Sequence, residues 1–353
     1  MTNGNEHSDL ARLHDLEVRL YALTTRSHLR VGAGEGTADV AVENPIIRAL
    51  ILKEGGKEER VPYIPGSSLH GVVRAWVEKA LRSGQEPLSR QEMETRIAGM
   101  EEADRKNLLD AARKEVAAFL NKGTLTPNDD DELYAHWKVY ATPHVCDPLS
   151  EVDKCERITD RESQARKWKV AWWATLERPV PCTVCRIFGY MGQRGRAKFT
   201  HAWPTTEQPP LDVITRVAIN RLTGAADEGK LFDLEAIPPG VTFHFFTILE
   251  NLEPGQKADL EKGVRAINLQ LAGVGAHSTV GFGMVDVKRV FTATISPHVF
   301  DHDVDAEFVE KTLAGVDLKR VTDVALDKVP RFFQALVVAH KQGAGFGDLI
   351  TIV

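Results

Sequence analysis

The chain has 353 residues, 43% hydrophobic and 27% charged, with a net charge of −6; this is enough for about two domains, or one with large insertions, and excludes wholesale disorder. No apolar run approaches the ~18 residues that span a bilayer, so no membrane partner is expected. The opening MTNGNEHSDLARLHDL lacks the basic-then-apolar pattern of a signal peptide, so the expected location is cytoplasmic.

LEVRLYALT (16–24) alternates and predicts a strand. A polar, Gly-rich stretch at 31–37 (VGAGEGT) follows. VENPIIRALIL (42–52) reads as extended or buried, with Pro45 disfavouring helix before it. YIPGSSLHGVVRAWVEKAL (63–81) is the clearest unit. Ser at its start suits an N-cap, and Leu69, Val72, Val73, Trp76, Val77 and Ala80 fall at helical spacing. Residues 85–120 predict one or two surface helices, 126–132 a loop, and 136–178 a Trp-rich stretch. Only small apolar clusters occur between 83 and 181, so this reads as an insertion. VTFHFFTIL (241–249) predicts a strand and 258–271 a helix. A glycine-rich loop and another strand come next, and the tail from about 300 carries two amphipathic helical patterns and an apolar LITIV end.

Charge is uneven. Between Glu86 and Glu162 there are 11 Lys+Arg against 18 Asp+Glu, and between Asp301 and Val353 there are 6 against 9, which leaves a mildly basic remainder. Local patches decide the field, so a polyanion partner stays open.

Three constellations stand out. Cys182-Thr183-Val184-Cys185 is a CxxC knuckle, and Cys146 and Cys155 lie upstream with eight residues between them. The four make an all-cysteine zinc site at non-standard spacing, with His144 as a replacement ligand; the bland alternative is that Cys182 and Cys185 are merely buried. Basic residues flank glycines: Arg26, His28 and Arg30; Arg186, Arg194, Arg196 and Lys198; Arg216 and Arg221. Such groups either hold phosphate or form a solvated face. Asp39 and Glu43 share the loop before Pro45, either as holders of a divalent ion or as solvated acids. No Walker A sequence and no strand-anchored GxGxxG is present, so nucleotide cofactors are unsupported.

Several segments, in order, resemble the RAMP superfamily. Ile64-Pro65-Gly66-Ser67-Ser68-Leu69-His70-Gly71-Val72-Val73-Arg74 is similar to its PGSSLKG-x-x-R signature. Cys185-Arg186-Ile187-Phe188-Gly189 with Arg194-Gly195-Arg196-Ala197-Lys198-Phe199 is similar to its LFG…GRLRF segment. The 273–283 loop, ending Val280-Gly281-Phe282-Gly283, is similar to its terminal Gly-rich loop. The resemblance covers about 16–80 and 180–292 and points to backbone subunits of type III CRISPR effectors with a zinc-bearing insertion.

That resemblance implies an α+β fold: an RRM-like (ferredoxin-like) palm with an antiparallel sheet over 14–82 and 182–295. It also implies a thumb hairpin at 215–232, a helical zinc-binding insertion at 83–181 and a helical C-terminal extension at 300–353. It implies partners: guide CRISPR RNA, complementary target RNA, and other effector subunits, including further copies of the chain. Arg26, His28, Arg30, Ser67, Ser68, His70, Arg74, Arg216, Arg221, Gly275 and His277 are then the expected RNA contacts. Val217, Ile219 or Leu222 would wedge between bases. Cys146, Cys155, Cys182 and Cys185 would hold structural Zn²⁺. Glu43 occupies the place of the family's cleaving Asp, with Asp39 as its substitute, and cleavage of target would use Mg²⁺ or Mn²⁺. Glu is one methylene longer than Asp, and His70 replaces the signature's Lys. A non-catalytic guide-binding scaffold is therefore the alternative. A guide-precursor processing ribonuclease using His28 or His277 is another, and a zinc-stabilised interaction module ranks last. The C-terminal extension, about 300–353, which ends in LITIV, is expected to dock on a neighbouring subunit.

Overall fold

A computed structural model describes residues 12–32, 45–52, 56, 58–83, 88–137, 145–146, 182–190, 193–301, 303–317 and 328–353. In chain order, β1 (Leu16–Thr25) precedes the hairpin of β2 (Arg48–Leu52) and β3 (Glu58–Pro62). Helices α1 (Gly66–Arg82), α2 (Arg90–Ala98), α3 (Glu102–Phe119), α4 (Asp130–His136) and α5 (Thr183–Phe188) follow. A short hairpin of β4 (Gly189–Tyr190) and β5 (Gln193–Arg194) leads to β6 (Ala197–Phe199) and β7 (Trp203–Pro204). Then come β8 (Asp212–Ile219), β9 (Ala226–Ala236), β10 (Thr242–Glu250), α6 (Pro254–Asn268) and β11 (Val285–Ile295). The chain closes with α7 (Val304–Leu313), α8 (Arg331–Gln342) and β12 (Ile350–Ile352). Two compact units result: Met1–Val73 with Ala197–Glu253 and Glu261–Val353, and Arg74–Arg196 with Pro254–Leu260.

The first unit holds an antiparallel sheet in the order β12-β11-β1-β10-β6, with β7 also paired to β10. Leaving out β12, its strands and crossover helices run β1-α1-β6-β10-α6-β11. The first and third strands are central, which is the ferredoxin-like βαββαβ order. The alternation read in LEVRLYALT is real, yet both of its faces are buried. On one face Tyr21 stacks on Phe245 at 5.2 Å, and its hydroxyl donates to Glu261 of α6 at 3.0 Å. Arg19 donates to the same carboxylate at 2.6 Å and pairs with Glu17. Burial, then the charge of Glu261, pushes the Tyr21 hydroxyl up to about 12, so it stays a neutral donor. Burial also opposes the charge on Arg19, but Tyr21 and Glu17 more than offset it and hold its pKa above the ordinary value.

The other face is covered by the C-terminal segment. Val18, Leu20, Phe246 and Phe291 form one core with Phe308 of α7, Leu336 and Val337 of α8, and Ile350. Phe333 stacks on Phe246 at 4.6 Å, and His340 lies 5.0 Å from Phe291. Antiparallel sheets commonly leave one face to solvent; here the two amphipathic helices close it. The LITIV end forms β12, with Ile350 paired to Ile295.

β8 and β9 make a separate two-stranded sheet from Asp212↔Ala236 to Ile219↔Ala226. Apolar side chains along it stay exposed: Val213, Val217, Ile219, Leu231 and, at the tip, Leu222 at 97%. Helix α6 begins four residues earlier than its apolar pattern suggests, at Pro254, a residue suited to a first helical turn.

In the second unit the surface-helix pattern resolves into α2 and α3, broken at Gly99. Ser89 and Glu92 form a reciprocal capping box on α2. Met93, Ile97, Leu108, Val116 and Leu133 are buried, and Arg113 is held by Asp110 and Asp130.

Candidate nucleic-acid interface

The chain leaving β1 runs beside the glycine-rich loop. Gly283 N–H donates to His28 O at 2.8 Å and Ala276 N–H to Arg30 O at 2.7 Å. Gly275 has φ +84°, and a Cβ there would sit 2.3 Å from Arg30 O. Only glycine fits that position. At Gly275 this close approach is to the chain's own backbone.

Phe282 at the loop's end gathers the side chains. The Arg216 guanidinium lies over its ring at 4.6 Å, and the His277 and His28 rings are 5.8 and 5.9 Å away. His28 Nε2 meets Asp212 at 3.0 Å. Arg30 Nε is buried without a hydrogen bond among the described residues, and burial lowers its pKa. The His277 pKa is lowered by burial and then by the charges of Arg30 and Arg216, so this ring is neutral at pH 7. His277 also has φ 62°, a strained backbone for a residue other than glycine. Two arginines and two histidines thus converge with Asp212 as the named acid, a field suited to an anion. Sequence reading found the four basic residues but missed Phe282 and Asp212. The available signal was an aromatic residue between two glycines.

The other candidates sit apart from this ring. Arg26 pairs with Asp286. Arg221 is exposed near the tip of the β8–β9 hairpin. Ser67, Ser68 and His70 lie at the amino end of α1, with Ser67 exposed and His70 edge-on to Phe199 at 5.6 Å. Gly66 is required there, because a Cβ would meet Phe199 O at 2.3 Å; its N–H donates to His201 Nδ1 at 3.1 Å. Helix amino ends favour anions.

Asp39, Glu43, Cys155 and His144 lie outside the described residues. The described residues on either side of these two acids pair beside Arg30: Ile47 N–H donates to Val31 O at 2.8 Å, and Gly32 bridges Ile46. Buried Glu235 of β9 accepts from Ile46 N–H at 3.0 Å and pairs with Arg48, an anchor that sequence reading did not single out.

Arg74 belongs to the second unit. It donates to Gly189 O and to Glu78, both at 2.9 Å. Burial disfavours its charge, but Glu78 and the nearby Cys185 and Cys146 outweigh this and raise its pKa. The three cysteines Cys146, Cys182 and Cys185 are buried, with sulfurs within 4.8 Å of one another and Cys146 Sγ 3.4 Å from Cys185 Sγ. Zinc–thiolate bonds of ~2.3 Å place tetrahedral sulfurs roughly 3.8 Å apart, so this soft, buried set can hold a metal such as zinc. Arg82 fastens Cys146 by donating to its carbonyl at 2.7 Å.

Among the described residues, no helix is long and apolar enough to cross a membrane. No protein of curated description matches the chain. A family model described as the RAMP superfamily matches residues 22–286, three quarters of the chain.

Proposed function

This chain belongs to the RAMP superfamily, a group of CRISPR RNA-binding proteins, and we propose that it is a guide-RNA-binding backbone subunit of a type III CRISPR effector. In this reading it holds and kinks the guide–target duplex. The carrying observation is the convergence of His28, Arg216 and His277 on Phe282, with the charge of Arg30 acting on His277 and Gly275 locking the loop to Arg30. Cations around an aromatic face suit phosphate and stacked bases of any sequence, as guide binding requires. The amino end of α1, with Ser67, Ser68 and His70, adds a phosphate contact. The exposed apolar hairpin supplies the wedge through Val217, Ile219 or Leu222. Structural Zn²⁺ sits on Cys146, Cys182 and Cys185, with Cys155 as its fourth ligand.

The test is cleavage of guide-complementary RNA by the assembled complex with Mg²⁺ or Mn²⁺, comparing wild type with Glu43→Ala and Asp39→Ala. Evenly spaced cuts lost in one variant, with binding retained, assign the nuclease and its carboxylate. Tight binding without cuts assigns a non-catalytic scaffold. Absence of salt-dependent RNA binding defeats the proposal altogether.

A second reading, guide-precursor processing, is favoured by one observation: His28 and His277 flank the same ring. Neutral His277 would accept the proton of a ribose 2′-hydroxyl as its oxygen attacks phosphorus. His28, paired with Asp212, would protonate the departing 5′-oxygen, leaving a 2′,3′-cyclic phosphate. Precursor cleavage that persists in EDTA and is lost in His277→Ala would select this reading.

A further inference from the structure

Beside the amino end of α1, the first unit contains a cavity of about 320 Å³. Its walls include Phe199, His201, Trp203 and Phe246 from the sheet, and Lys328 and Phe333 from the C-terminal segment. The volume is at the low end of the ~300–1,000 Å³ range of small-ligand sites, large enough for a heterocycle and too small for a packed helix.

The rings around it are layered. Phe246 and Phe333 stack at 4.6 Å, Tyr63 stacks on Trp203 at 5.3 Å, and Tyr63 meets His201 edge-on at 4.9 Å. His201 is also oriented by the chain. Its Nδ1 accepts from Gly66 N–H at 3.1 Å, so in the neutral ring Nε2 carries the proton and donates. Among the described residues no carboxylate lines the cavity, and Lys328 stands at its wall. Stacked rings, a donor and a positive charge lie next to a helix amino end whose Ser67 is exposed.

We propose that this cleft receives one unpaired nucleotide of the bound RNA, with its base against the aromatic rings and its phosphate at the amino end of α1. The proposal rests on the RNA-binding reading and adds to it a site for a single base. Lys328, Val329, Pro330 and Phe333 line the cleft, so the C-terminal segment contributes to binding as well as to the core.

The experiment uses the full chain and a single-stranded RNA bearing 4-thiouridine, with crosslinked peptides mapped by mass spectrometry and affinity measured by filter binding. Expected are crosslinks to peptides containing Trp203 or residues 328–333. Trp203→Leu should remove them and weaken binding about 5- to 150-fold, the range of one base–aromatic stack, while crosslinks near Phe282 persist. Lys328→Ala serves as the second variant where Trp203→Leu does not fold, and should also reduce the cleft crosslinks. Crosslinks confined to 26–30 and 275–283, with unchanged affinity in both variants, would overturn the cleft and leave RNA binding standing. No RNA binding by the wild type would overturn both. Protection of Trp203 only by another protein subunit would assign the cleft to a polypeptide and also overturn the proposal.

Discussion

Three thiols meet at Cys146, Cys182 and Cys185; Arg216, His28 and His277 meet around Phe282, with the charge of Arg30 acting on His277. The thiolates would repel one another and call for a cation, whereas the two arginines outnumber Asp212 and favour an anion. They differ in access. The cysteines are buried, so an ion held there would be a lasting part of the fold. Arg216 and His277 are partly exposed, so their anion can come and go. A third cluster, Arg19 with Glu17 and Glu261, carries its own counter-charges and needs no ligand. Like charge at an open rim marks recognition, whereas balanced charge beneath a helix marks structure.

Removing the metal should have the largest effect. Cys185→Ser is expected to take zinc content from one per chain to none and to cost several kcal/mol, read by elemental analysis and by loss of a cooperative transition. Retention of full zinc and stability would dissolve the contrast. Next, Arg19→Met should cost roughly 3 kcal/mol, toward the lower end of broken buried pairs because Glu261 is partly exposed. Denaturant titration reads that loss, and RNA affinity of the folded fraction should stay at the wild-type value. The double change Arg30→Ala and Arg216→Ala should do the reverse. Stability should stay within about 0.5 kcal/mol, RNA affinity should fall about 10- to 100-fold, and the salt slope should shrink by roughly 1 to 2.

The smallest effect is a matter of sign. His277 has a lowered pKa in the folded chain, so the unfolded chain binds more protons as pH drops through about 6.5. Its contribution to stability is present above that pH and lost on acidification through the lowered folded value. A bound phosphate would favour protonated His277, so RNA affinity should rise over the same interval. His277→Gln should flatten both trends, and affinity falling with acidification in the wild type would remove His277 from the anion site.

Much of this was readable from residues. The PGSS start of α1, the strand alternation and the CxxC each encode local geometry that a short window contains. Arg74 shows what a motif leaves out: seven residues beyond Ser67, it lies about 10 Å along the helix axis, where it donates to Gly189 O and feels the charge of Cys185 and Cys146. Amphipathic patterns in the tail announce a buried face but not what it meets, here Phe246 and Phe291 of the sheet. Phe282 escaped because its role depends on four residues brought together from three distant segments.

The sheet's pairing also sets a timetable. β1, buried on both faces, pairs with β10 and β11, whose residues lie more than 200 positions later. At ~5–20 residues per second of synthesis, that strand waits on the order of 10–50 s for its neighbours. During that interval an apolar segment with two open edges is exposed to other nascent chains, so yield of the protein in a cell should depend on chaperone capacity during synthesis.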